Sequence, residues 1–210
     1  MRLYGRTKPL DGHPIRECLQ IFKQFGFDGV ELCLENTDVR PEVLDAPLAR
    51  EVGEYIRTLG LAPFSVSYHQ EYIYDDQLFA ETRQVIPLVR EFGTDILVFS
   101  GTRAHTGDRA EWERMIARTR ELVQVAEDHG VILAEEFEPR FVVGSTEQLL
   151  RLFEEIPSPA LAANLDLGHA FLADPDPIQA IYTLGDKIVH VHIENMGKGV
   201  HKHLLPNEGD

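Results

Sequence analysis

The stretch "VREFGTDILVFSG", Val89 to Gly101, compresses an α/β unit into one phrase: the end of a helix, a glycine, then a short apolar run of strand length. Gly93 stands where a helix C-cap calls for a left-handed backbone, which glycine adopts at little steric cost. The run that follows is too short for a buried helix and rich in residues that favour a strand. The phrase recurs as "FKQFGFDGVELCL", "IRTLGLAPFSVSY", "AEDHGVILAEEF" and "YTLGDKIVHVHI", with Gly26, Gly60, Gly130 and Gly185 in the place of Gly93. A further strand, "ALAANLDLG", follows the prolines of "EEIPSP", which end the helix before it. The opening "MRLYGR" reads as the first strand.

Amphipathic segments separate these strands. In "PIRECLQIFKQF" the residues Ile15, Cys18, Leu19 and Phe22 share one side, and "WERMIARTRELVQVAEDH" does the same with Ile116, Leu122, Val123 and Val125. Strands alternating with helices imply a parallel sheet, each unit being roughly thirty-odd residues long. A series of seven strands, with no G-x-G-x-x-G loop after the first, favours a barrel over an open doubly wound sheet. The fold class expected is therefore α/β, of the (β/α)8 TIM-barrel type, as one domain over residues 1–210 that ends after strand 7. Truncation, closure by a partner, or an open barrel would each account for the missing eighth strand. An open barrel leaves two strand edges and apolar surface uncovered, which invites homo-oligomers.

Composition narrows the function. The chain has 210 residues, 43% hydrophobic and 26% charged, as in folded globular proteins. Its formal charge of −15 argues against general affinity for nucleic-acid phosphates. No apolar run is long enough to cross a bilayer, and the N-terminus has no signal-like apolar core. Cys18 and Cys33 lack metal-type spacing and read as packing residues of a reducing, cytoplasmic environment.

In a barrel, inward-pointing residues at the C-terminal ends of strands build the site. Alternation along each strand nominates Glu31, His69, Glu136, Asp166 and His192, with His169 close behind in "NLDLGHA". Carboxylates and imidazoles in one pocket suit Mn, Co or Zn, and Mg if oxygen donors dominate. Other histidines have simpler explanations. His129 balances a helix C-terminus, His13 and His105 lie in loops, and His190, deeper than His192 on the same face, is a hydrogen-bonded core residue. Asp166 and His169 could equally form a helix N-cap pair. In "IVHVHI" the apolar residues are expected to face a hydrophobic layer opposite the histidines.

Taken in order, "GFDGVEL", "GVILAEEFEPR", "NLDLGHA", "HVHIEN" and "HKHLLPNEGD" resemble the xylose isomerase-like TIM barrels. That superfamily contains sugar isomerases and epimerases, inosose dehydratases and the endonuclease IV type of apurinic-site nuclease. The resemblance implies one divalent metal ion held by Glu136, Asp166 and His192, with a fourth, strand-8 ligand beyond Asp210. It implies substrate contacts from His69, His169, Lys198 and His203, and Glu31, nominated by the alternation of its strand, is expected to join them. His201 and His203 would lie in a loop near the mouth. Ser100 and His201 stand where the nuclease branch has a zinc-binding histidine and aspartate, which disfavours that branch.

The function implied is a metal-dependent isomerase, epimerase or related lyase acting on a small sugar- or polyol-derived carbonyl compound through an enediolate. Glu136 is the expected base, and His169 is expected to orient or protonate a substrate oxygen. The alternatives are a zinc phosphodiesterase on abasic DNA, or an incomplete barrel that only binds a ligand or partner.

Overall fold

The computed structural model describes residues 2–205 and 207–209. Pro206 of the "HKHLLPNEGD" phrase lies outside them. Seven strands, β1 (Tyr4–Arg6), β2 (Gly29–Cys33), β3 (Ala62–Ser67), β4 (Ile96–Ser100), β5 (Ile132–Glu136), β6 (Leu161–Asp166) and β7 (Ile188–His192), lie in sequence order in one sheet. All neighbours are parallel. Parallel strands need crossovers, supplied by α1 (Ile15–Gln24), α2 (Ala46–Thr58), α3 (Asp76–Val85) with α4 (Val89–Phe92), α5 (Arg109–His129), α6 (Thr146–Glu155), and α7 (Leu167–Ala173) with α8 (Pro177–Leu184). An antiparallel hairpin, β8 (Asn195–Gly197) and β9 (Val200–Leu204), follows β7. Among the described residues no eighth strand continues the sheet, so the architecture is a TIM-barrel type that stops at strand 7.

Helix boundaries follow local chemistry. Asp45, Asp75, Asp108, Ser145, Asp166 and Asp176 are N-caps whose side chains accept from first-turn N–H groups. Gly93 and Gly130 end α4 and α5 in the left-handed conformation, as expected. Gly185 does not: its φ of 49° comes with ψ of −124°, and a short 3-10 turn rather than a left-handed cap leads into β7.

The outer core lies between helices and sheet. Leu19, Ile56, Phe92, Leu97, Leu122, Leu133, Leu149 and Leu152 are buried there, each worth about 1.5–3 kcal/mol relative to exposure. At the β7 edge, among the described residues, the expected hydrophobic layer does not cover the strand: Val191 is 42% and Ile193 60% exposed. Alternation correctly separated the two faces of the strand, but it carries no information on what covers each face.

Candidate metal centre

Parallel register places functional side chains side by side at one end of the sheet. Ser100 pairs with Glu136 across β4 and β5, and Asp166 with His192 across β6 and β7. One donor atom each from Glu136, Asp166 and His192 falls within 4.8 Å of the others. His192 Nδ1 lies 2.9 Å from Glu136 Oε1 and 3.8 Å from Asp166 Oδ2. Asp166 serves two roles, because its Oδ1 also accepts from the His169 N–H at 3.0 Å as the cap of α7.

His69 and His169 flank this cluster. His69 Nδ1 is 3.0 Å from Ser100 Oγ and 3.4 Å from Glu136 Oε2, and its buried Nε2 has no protein partner. His169 Nδ1 must donate to the Phe137 carbonyl, 3.0 Å away, which leaves Nε2 as the lone-pair nitrogen. That nitrogen lies 3.2 Å from His201 Nε2. His169, His201 and His203 form a second group of converging donors, as do Asp166, His169 and Glu194.

The hairpin corrects one expectation. His201 and His203 belong to β9 rather than to an irregular loop, and β9 packs on α7. Glu194 hydrogen-bonds His203 Nδ1. Lys198 sits exposed in the turn between β8 and β9.

Glu31 is also placed differently from expectation. It is 2% exposed, and its carboxylate is taken by Arg6 Nε at 2.8 Å, His190 Nε2 at 3.0 Å and His192 Nε2 at 2.9 Å. It lies beneath the mouth as a partner of protein side chains. His190 is a buried, hydrogen-bonded core residue, as expected, with Asn164 Oδ1 at 2.8 Å and Ser65 Oγ at 2.9 Å. Sequence reading missed Arg6, Asn164, Glu138 and Glu194. Glu194 could have been noticed as an ionisable group adjoining the strand-7 histidine, whereas Arg6 gives no local signal.

The electrostatics are those of crowded carboxylates. Burial, then Glu136 and Glu194, pushes Asp166 up to about 8. Burial opposes ionisation of Glu136, yet His192, His69 and His169 outweigh it and hold that carboxyl below its usual range. Burial pushes His169 down to about 4, so its imidazole is neutral at pH 7. Burial, then Glu136, lifts Glu138 to about 7. His192 is raised by Glu31 and Glu136 against the opposing effect of burial.

These residues fit a divalent cation. Glu136, Asp166 and His192 offer oxygen and nitrogen donors on one side of a small space, and Asp166 retains a proton that a cation would replace. Mixed donors of this kind suit Mn, Co or Zn, and Mg where oxygens prevail. Among the described residues, buried Glu194 Oε1 and His69 Nε2 have no hydrogen-bond partner, which fits a site that takes a further polar group.

Comparison with known proteins agrees with the fold. A sequence profile described as xylose isomerase-like TIM barrel matches residues 19–210. Fructoselysine 3-epimerase of Escherichia coli O157:H7 is 23% identical over 212 residues, covering 93% of this chain and 77% of that protein. Another curated relative, an uncharacterized protein of Methanocaldococcus jannaschii, is 34% identical over 95 residues, so that the match spans only 32% of its length. Among solved structures, a probable 3-DHS dehydratase of Bacillus anthracis superposes with a TM-score of 0.82 at 17% identity, covering 100% of this chain and 81% of that one. A xylose isomerase-like TIM barrel protein of Mycobacterium smegmatis, solved in complex with magnesium, gives 0.77 at 20% identity, with 93% and 75% covered.

Proposed function

The chain belongs to the xylose isomerase-like TIM barrel family, and we propose that within it this protein is a divalent-metal-dependent isomerase or epimerase of a small sugar-like carbonyl compound. The observation that carries this reading is the convergence of Glu136, Asp166 and His192 from three successive strands. The similarity to fructoselysine 3-epimerase over most of the chain, and the magnesium complex of a structural neighbour, support it.

A divalent ion held by these three side chains would polarise adjacent carbonyl and hydroxyl oxygens and stabilise an enediolate. Glu136 is held ionised, with Oε1 towards His192 and Oε2 on the His69 side. It removes the proton from the carbon beside the carbonyl, and the C–H electron pair moves onto the carbonyl oxygen. Return of a proton to the neighbouring carbon of the enediolate gives the isomer, and return to the same carbon from the opposite face gives the epimer. Neutral His169 presents Nε2 to a substrate oxygen and passes a proton between neighbouring oxygens. His69 binds a substrate oxygen through its unpartnered Nε2, and His203 and Lys198 lie on the hairpin on the substrate side. Substrate carbon acidity is the property selected, so ketoses and inososes are the compounds to test.

The test combines elemental analysis of protein purified without chelator with solvent-deuterium exchange into a panel of ketoses and inososes. About one divalent ion per chain, lost in Asp166→Ala, together with exchange that needs it, supports the reading. Absence of metal even after soaking overturns it. The His169, His201 and His203 cluster favours a second reading, a multinuclear zinc phosphodiesterase, which two or three zinc ions per chain and cleavage of abasic DNA would establish. Ser100 on His69 and the charge of −15 count against it.

A further inference from the structure

We propose that Glu31 is a positioning residue for the metal centre: held from behind by Arg6, its carboxylate takes the Nε2–H of His192 and so leaves Nδ1 to face the ion. The inference rests on the metal-dependent reading above, and concerns a carboxylate already occupied by Arg6, His190 and His192.

The two ring nitrogens of His192 meet different surroundings. Nδ1 faces Glu136 Oε1 at 2.9 Å, the Asn164 amide at 3.0 Å and Asp166 Oδ2 at 3.8 Å. Nε2 faces Glu31 Oε2 at 2.9 Å. Ionised carboxylates can only accept, so in the metal-free protein both nitrogens carry protons; an ion beside Glu136 and Asp166 would displace the one on Nδ1 and leave Nε2–H on Glu31. Outer-shell carboxylates of this kind set the tautomer of a ligating histidine and raise its basicity.

The carboxylate is itself fixed. Arg6 Nε lies 2.8 Å from Oε1, while His190 Nε2 at 3.0 Å and the Ser65 hydroxyl at 3.3 Å reach Oε2. A carboxylate buried this deeply needs such partners, because an unpaired buried charge is strongly destabilising. The sheet also departs from regular pairing beside both ends of the contact. The β2–β3 register shifts between Val30 and Glu31, and the β6–β7 register shifts between Ala163 and Asn164, just before the pairs with His190 and His192. Irregularities of this kind re-aim side chains.

Zn2+ binding by calorimetry and 15N-imidazole spectra of the Zn2+-loaded protein test the inference. In the wild type, His192 should bind the ion through Nδ1 and show a slowly exchanging Nε2–H resonance. Ligation through Nε2 would overturn the inference whatever the variants do. Glu31→Gln should lower Zn2+ affinity by about 10–100-fold and lose or shift that resonance. Leu97→Ala, a variant of the buried core cluster, should lose stability and keep its affinity. Equal weakening in both variants, or unchanged affinity in Glu31→Gln, would overturn the assignment. Should Glu31→Gln not fold, Glu31→Asp keeps the charge and shortens the reach, and should displace the same resonance. A wild type that binds no divalent ion would sink the metal-dependent reading itself, a result distinct from either of these.

Discussion

At the residue scale, three side chains share one problem and solve it differently. Glu136 stays ionised because imidazoles outweigh its burial, Asp166 keeps a proton because of burial and then the carboxylates beside it, and His169 stays neutral because it is buried. Glu136→Gln should therefore abolish proton abstraction, lowering turnover by about 10²–10⁴-fold with little change in the folded state. Deuterium exchange at the substrate carbon checks this, and a variant of full activity would refute the base assignment. The proton on Asp166 gives a second expectation. Its pKa is raised to about 8 in the metal-free protein, so below that pH an incoming ion must expel the proton. Metal affinity should climb with pH, by about tenfold per pH unit for each proton displaced from Asp166 and His192. Isothermal titration from pH 6 to 9 measures the slope, and an affinity that falls with rising pH would contradict the arrangement. The same sign applies to folding: Asp166 stabilises the metal-free protein below its unfolded pKa, and that contribution is lost as pH rises through about 8.

At the element scale, the strand–helix units are legible because each carries its own punctuation. The aspartate caps, the glycines after α4 and α5, and the apolar runs of β4, β5 and β6 are local signals that tertiary context did not override. Leu97, buried between β4 and the helices, makes the point energetically. Its truncation to Ala should cost about 2–5 kcal/mol, measured by denaturant unfolding, and should leave the metal centre intact. A cost within experimental error would mean that the outer core is poorly packed. The hairpin is where element-level reading ran out. "GVHKH" has neither clear alternation nor strong strand formers at every position, yet it pairs with "NMG" and both strands pack on α7.

At the scale of the whole molecule, the parallel sheet ends at two edges, β1 and β7, and beyond β7 lies apolar surface. Ile178, Ile181 and Tyr182 of α8 are exposed along with Val191 and Ile193, Tyr182 at 76%. Sedimentation over a range of concentrations should show self-association that Val191→Lys with Ile193→Lys reduces. A monomer at every concentration would speak against it. Ion binding should also act globally: at a hundredfold excess over Kd it stabilises the folded chain by about 2.7 kcal/mol, or roughly 5–10 °C in Tm. Calorimetry with and without Zn2+ reads the shift. The order of helices and strands, their parallel sense and the inward face of each strand were determined by the sequence itself, because the periodicities of 2 and 3.6 and the capping residues are local properties. Candidate ligands could be listed the same way, since inward polar residues at strand ends are visible one strand at a time. Only the tertiary structure decided which of them meet. Glu31 turned from the mouth towards Arg6, His190 and His192, and Arg6, Asn164 and Glu194 joined the site. Those contacts depend on register shifts and on distances between strands far apart in the chain, which no local pattern encodes.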